Sequence, residues 1–186
     1  MRIVLATLLL FCITENACAD LILTARELGG NVVIEGAGDI NVAGLAPSGV
    51  STQAAGLDPS IPLVMVGSNG DTDFYTGVTG PANIGSGGGI APSSTSGAIF
   101  GIGGTGGNTL FLPRFYAGAN ISGSATYAGT TFVGLGLDLG IHEWTLPTPG
   151  GTERISLHVV VPEPSSIALL SATLGVCAFA RRRRVG

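Results

Sequence analysis

Apolar and polar positions divide this chain into three zones. At the N-terminus an apolar run, Ile3 to Ile13, follows Arg2, and the zone closes on Ala17-Cys18-Ala19. Small residues at the positions a signal peptidase reads predict a secretory signal helix over residues 1–19, cleaved before Asp20. At the C-terminus, Ser165 to Ala180 carries no charge and is followed at once by Arg181, Arg182, Arg183 and Arg184. Cationic residues resist translocation, so residues 165–180 are expected to form a single transmembrane helix, with the four arginines as its cytoplasmic stop. These 16 residues span about 24 Å as a helix, short of a ~30 Å hydrocarbon core, which suits a temporary hold.

The middle zone, residues 20–160, shows a different period. Ile155, Leu157 and Val159 alternate with Arg154, Ser156 and His158, the signature of a strand with one buried face. Ile141 to Thr145 reads as its partner across the Pro- and Gly-rich segment 147–151. Short β-prone runs at 31–35, 61–66, 98–102 and 109–112 are bounded by Gly, Pro, Asn or Ser. No stretch here has a helical stripe. The expectation is an all-β ectodomain, an antiparallel β-sandwich, with residues 48–108 largely loop around the soft segments Gly85 to Gly89 and Ser93 to Gly97. No fixed repeat period is present, which argues against a solenoid.

Charge sharpens this division. The chain of 186 residues has a formal charge of −4, yet residues 20–160 hold three arginines against ten carboxylates, a net −7. An acidic domain does not suit a nucleic-acid partner. Of the 31 glycines, 29 lie in the middle zone, whereas Cys12, Cys18 and Cys177 all lie in the flanking ones. A domain of about 140 residues buries a single core without needing disulfides.

Val161-Pro162-Glu163-Pro164-Ser165 joins the middle zone to the apolar run. Prolines at i and i+2 remove two backbone donors and favour an extended, accessible chain, the form that proteases and transpeptidases bind. The whole segment, VPEPSSIALLSATLGVCAFARRRR, resembles the PEP-CTERM sorting signal of Gram-negative bacteria over residues 161–186. That resemblance implies an exosortase, an inner-membrane cysteine transpeptidase, as processing partner, with signal peptidase acting at the other end. It also implies that Pro162, Glu163 and Pro164 are the sorting motif. The expected route is an inner-membrane anchored precursor with a cytoplasmic C-terminus, then the cell surface or extracellular matrix.

A further resemblance, to an uncharacterised β-rich PEP-CTERM group, rests on Leu112-Pro113, Tyr116, Ser122-Gly123-Ser124-Ala125-Thr126-Tyr127, Thr131-Phe132, Leu135-Gly136, Gly140 and Trp144-Thr145. His142 and Glu143 stand where that group has an aromatic and an apolar residue. The group has no assigned chemistry.

Candidate chemistry in the ectodomain is sparse. Gly101-Ile102-Gly103-Gly104-Thr105-Gly106 matches G-x-G-x-x-G, but strand-like Thr109 to Leu112 follows where a helix is required, so a hairpin turn is expected. Asn69, Asp71 and Asp73 place three oxygen donors at alternate positions, as the start of a Ca2+ loop does, but Phe74 and Gly80 replace the Gly and Glu of an EF-hand. No serine has the Gly spacing of a nucleophile elbow, and His142 lacks a second His at metalloprotease spacing. Trp144, Tyr75, Tyr116 and Tyr127 are the candidate stacking surface for a sugar, with the core as the commoner place for a sole Trp. The expected function is a non-enzymatic surface or matrix protein without a cofactor, associated with exopolysaccharide or biofilm. The alternative is an adhesin-like module that binds carbohydrate or Ca2+.

Overall fold

A computed structural model describes residues 20–104 and 108–161. The expected signal helix, transmembrane helix, sorting motif and arginine stop lie outside the described residues. Within them the chain forms two six-stranded sheets. The first contains β1 (Asp20–Leu28), β2 (Asn31–Gly38), β7 (Ser94–Gly97), β10 (Ile121–Tyr127), β11 (Gly140–Thr148) and β12 (Gly151–Val160). Their order across it is β11-β12-β1-β2-β10-β7. The second contains β3 (Gly49–Gln53), β4 (Gly56–Asp58), β5 (Leu63–Val66), β6 (Gly70–Thr76), β8 (Phe100–Gly103) and β9 (Thr109–Pro113), ordered β3-β6-β9-β8-β5-β4. One helical turn, α1 (Phe132–Leu135), is capped by the Thr131 hydroxyl, which accepts from the Gly134 N–H at 3.1 Å, and by left-handed Gly136.

Alternation explains the first sheet. Leu21, Leu23 and Ala25 of β1 and Ile155, Leu157 and Val159 of β12 point inward and are buried, whereas Ile22, Thr24, Arg26 and His158 lie on the outer face. β11 and β12 form the expected hairpin, with Thr145 opposite Arg154, and its strands continue into the expected loop through Pro147 and Thr148 to Gly151. One feature corrects the antiparallel expectation. β1 runs parallel to β12, from Asp20 beside Arg154 to Arg26 beside Val160. Parallel neighbours need a long crossover, and here the crossover is all of the chain from β2 to β11.

The inner faces of the two sheets meet at Phe100. Its fully buried ring, from β8, sits over Gly36 of β2 and Gly123 of β10, which are register partners. A Cβ on Gly36 would stand 2.7 Å from that ring, so the two glycines form a recess for it.

The segment from 48 to 108 holds more strand than its composition suggests: β3 to β8 all fall within it. Ser94 to Gly97, expected as soft loop, forms the edge strand β7, with the Ser96 hydroxyl 2.9 Å from that of Ser124. Gly85 to Gly89 remains irregular and packs tightly: a Cβ on Gly87 would meet the carbonyl of Leu135.

Candidate functional site

The outer face of the first sheet carries an open trough of 590 Å³. Its floor is made of small residues, Ala37, Ser96, Ser122 and Ser124, together with the backbone of Gly36, Gly97 and Gly123. Its wall is Ile22, Thr24, Arg26 and Glu35, with Arg26 and Glu35 3.9 Å apart and both half-exposed. Small side chains on three adjacent strands create the depression. The trough therefore offers hydroxyls, peptide edges and one exposed ion pair. A second cavity, 340 Å³, lies between loop residues 41–45 and Tyr75, Tyr116, Ala117 and Gly118. There the Tyr116 hydroxyl accepts from the Ile40 N–H at 3.0 Å. Burial raises the Tyr116 pKa, with the carboxylates of Asp39 and Glu153 adding to the rise and the Ile40 bond opposing it.

The candidate residues are scattered by the fold. Asp71 and Asp73 lie on one face of β6, a strand, and both carboxylates have partners. Asp71 accepts from the Thr52 hydroxyl at 2.7 Å and lies 3.9 Å from Arg114. Asp73, nearly buried, accepts from the Phe115 N–H at 2.8 Å and so holds a turn in which Phe115 has φ 60°. Asn69 precedes the strand and is exposed. Among the described residues no three His, Cys, Asp or Glu side chains gather as a metal site. His142 pairs opposite inward-facing Leu157, whereas His158 pairs opposite outward-facing Ile141, so the sheet separates them. His142 Nε2 lies 3.1 Å from the Asp138 carbonyl.

Other carboxylates serve the backbone: Glu27 accepts from the Phe132 N–H at 2.6 Å and Glu153 from the Asn41 N–H at 3.1 Å. Gly101 to Gly104 ends β8 on the way to its antiparallel neighbour β9, as a hairpin requires. Trp144, Tyr127 and Tyr75 are buried, which removes them from any exposed stacking surface. The trough itself had no readable signal in the sequence, because only sheet order brings Ser96, Ser122, Ala37 and Thr24 side by side.

The one functional segment that sequence motifs single out begins where β12 ends. This strand is flanked on both sides, by β11 and β1, and Val160 is its last residue. Only Val161 stands between the sheet and Pro162. An all-β domain whose final, doubly paired strand runs straight into a basic-ended apolar segment has the layout of an exported, tail-held precursor. Residues 160–184 match the family model of the PEP-CTERM protein-sorting motif. No curated protein and no solved structure matches the chain. The chain thus carries a PEP-CTERM sorting motif, which implies an exported precursor, anchored in a membrane before an exosortase-type enzyme processes it. Among the described residues no helix is long and apolar enough to cross a membrane.

Proposed function

We propose that this protein is a non-enzymatic component of the cell surface or extracellular matrix, a two-sheet β-sandwich that associates with exopolysaccharide through the trough on its outer sheet. The observation that carries this reading is the trough's lining: Ser96, Ser122, Ser124 and Thr24 beside the Arg26–Glu35 pair. Hydroxyls and an exposed ion pair suit hydrogen bonding to a hydroxyl-rich polymer, and an open groove admits a chain along its length. Delivery to the surface follows from the sorting motif, with signal peptidase cutting before Asp20 and the four terminal arginines staying cytoplasmic.

Retention of purified exopolysaccharide by the ectodomain tests the reading, with Ser122→Tyr combined with Ser124→Tyr to fill the trough. Binding lost in the filled variant is expected; binding that survives it moves the contact elsewhere, and no binding by the wild type ends the proposal. A Ca2+ titration run beside it separates the adhesin-like alternative, since Ca2+-dependent stabilisation would show a cation site. Support for a site at Asn69, Asp71 and Asp73 is reduced by the Arg114 and Thr52 partners of Asp71. For sorting, Pro162→Ala with Pro164→Ala is expected to leave the tail on the protein; an intact mass showing normal tail removal would refute the motif's role.

A further inference from the structure

The end of the first sheet from which the chain leaves is unusually apolar. β1, β12 and the start of β11 finish together there, since Arg26 pairs with Val160 and Gly140 with Val159. The turn α1 joins them through the Glu27–Phe132 hydrogen bond. Six of the eleven exposed large apolar side chains of the described residues gather at this end: Leu28, Val133, Leu139, Ile141, Val160 and Val161. Val133 is 91% exposed, Ile141 62% and Leu139 59%. Alternation places Leu28, Ile141 and Val160 on the outer face of the sheet, and Val133 is exposed on α1, which is bonded to the end of β1. The opposite end of the same sheet, where Asp20 pairs with Arg154 and Glu153 accepts from the Asn41 N–H, is polar. Contiguous exposed apolar surface marks a contact surface.

Chain length decides which contact. The uncharged run begins at Ser165, so only Pro162, Glu163 and Pro164 separate Val161 from it. Four Cα–Cα steps reach at most roughly 14 Å. A domain held that closely cannot turn this end away from the membrane that holds the run, and a short link gives the second contact a high effective concentration.

We propose that in the anchored precursor this end of the domain rests on the lipid surface, with Val133, Leu139 and Ile141 entering the headgroup region. The inference relies on the anchored-precursor reading, and no contact with exopolysaccharide is needed for it. The carboxylates of Glu27 and Asp138 and the Arg26–Glu35 pair also lie at or near this end, as does the His142 ring, so anionic lipid gives no evident electrostatic help. Apolar insertion is the driving term. Docking would hold the segment after Val161 at the membrane surface, where a membrane-embedded processing enzyme meets it. Removal of the tail would then release the domain, because the untethered patch lacks the high local concentration.

The test uses residues 20–186, the precursor that remains once the signal is removed, with Cys177 replaced by Ser, reconstituted in phosphatidylcholine vesicles. An environment-sensitive fluorophore is placed at Val133→Cys, Leu139→Cys or, as a control on the far sheet, Val50→Cys. Flotation with the vesicles checks anchoring separately. For protein that floats, the expected result is blue-shifted emission at positions 133 and 139, quenched several-fold more by brominated phosphatidylcholine than at position 50. Equal, water-like emission at all three positions overturns the docking while leaving the anchor intact. Shielding at 133 and 139 that is insensitive to brominated lipid and grows with protein density would instead assign the surface to a second copy. Shielding that needs an added processing enzyme would assign it to that enzyme, and either outcome overturns the proposal.

Discussion

The two sheets solve different problems with similar residues. In the first, β1, β2, β11 and β12 run for eight to ten residues with one face buried and one open to solvent. In the second, the interior strands β5 and β8 are four residues each and almost wholly buried, and the edge strand beyond them, β4, is itself bridged at Leu57 to Ile90. A long open face can present a site along its length, whereas strands buried on both faces, such as β8, can only support. The trough and the apolar end both belong to the first sheet. The second supplies Phe100, Ile102, Leu110 and Leu112 to the core that keeps the first in shape.

The sharpest way to break this division is at the joint. Phe100→Ala removes the ring seated over Gly36 and Gly123 and is expected to cost about 3–5 kcal/mol, read as a loss of the denaturation midpoint. Gly36→Val attacks the same joint from the other side. Its side chain would collide with Phe100, and a loss of about 1–3 kcal/mol is expected, reduced when combined with Phe100→Leu. Tyr116→Phe leaves the Ile40 N–H without its acceptor at the edge of the second cavity, a loss of about 1 kcal/mol.

Tyr127 sharpens the comparison from inside the first sheet. Its hydroxyl is buried with no partner among the described residues, and burial pushes its pKa far above the usual tyrosine value of about 10. The folded state therefore holds this proton more tightly than the unfolded chain. Stability is expected to be unaffected by this group below pH 10 and to fall above it, as the unfolded state ionises first. Tyr127→Phe should leave stability at neutral pH unchanged or slightly higher and make the alkaline fall shallower; pH-dependent melting checks both. The smallest effect is expected at Arg26→Ala, whose ion pair with Glu35 is half-exposed: under about 1 kcal/mol in stability, with any larger change confined to polysaccharide retention.

Legibility in the sequence followed burial geometry. Arg154 to Val160 was readable as a strand because one open face imposes strict alternation, and its partner at 141–145 was readable for the same reason. The runs at 61–66, 98–102 and 109–112 were readable as β-prone segments, and most of their residues are buried. Ser94 to Gly97 was not readable: an edge strand with no buried side chain has no pattern, and its place depends on backbone pairing with β10. β1 was missed beside the predicted signal, although Leu21, Leu23 and Ala25 alternate with Ile22, Thr24 and Arg26. Its parallel course beside β12 is invisible to any local pattern, since alternation carries no strand direction.

The sorting segment needed no fold to be recognised, because its chemistry lies along the chain: two prolines around a glutamate, an uncharged run, then four arginines. Local order likewise made the ectodomain acidic, cysteine-free and β-forming. The trough and the apolar end belong to tertiary structure alone. Ser96 and Ser124 are 28 residues apart and share a hydrogen bond only through sheet order, and Arg26 lies beside Val160 only because the first strand runs parallel to the last. Surfaces of this kind arise from long-range pairing, which sequence neighbours do not encode.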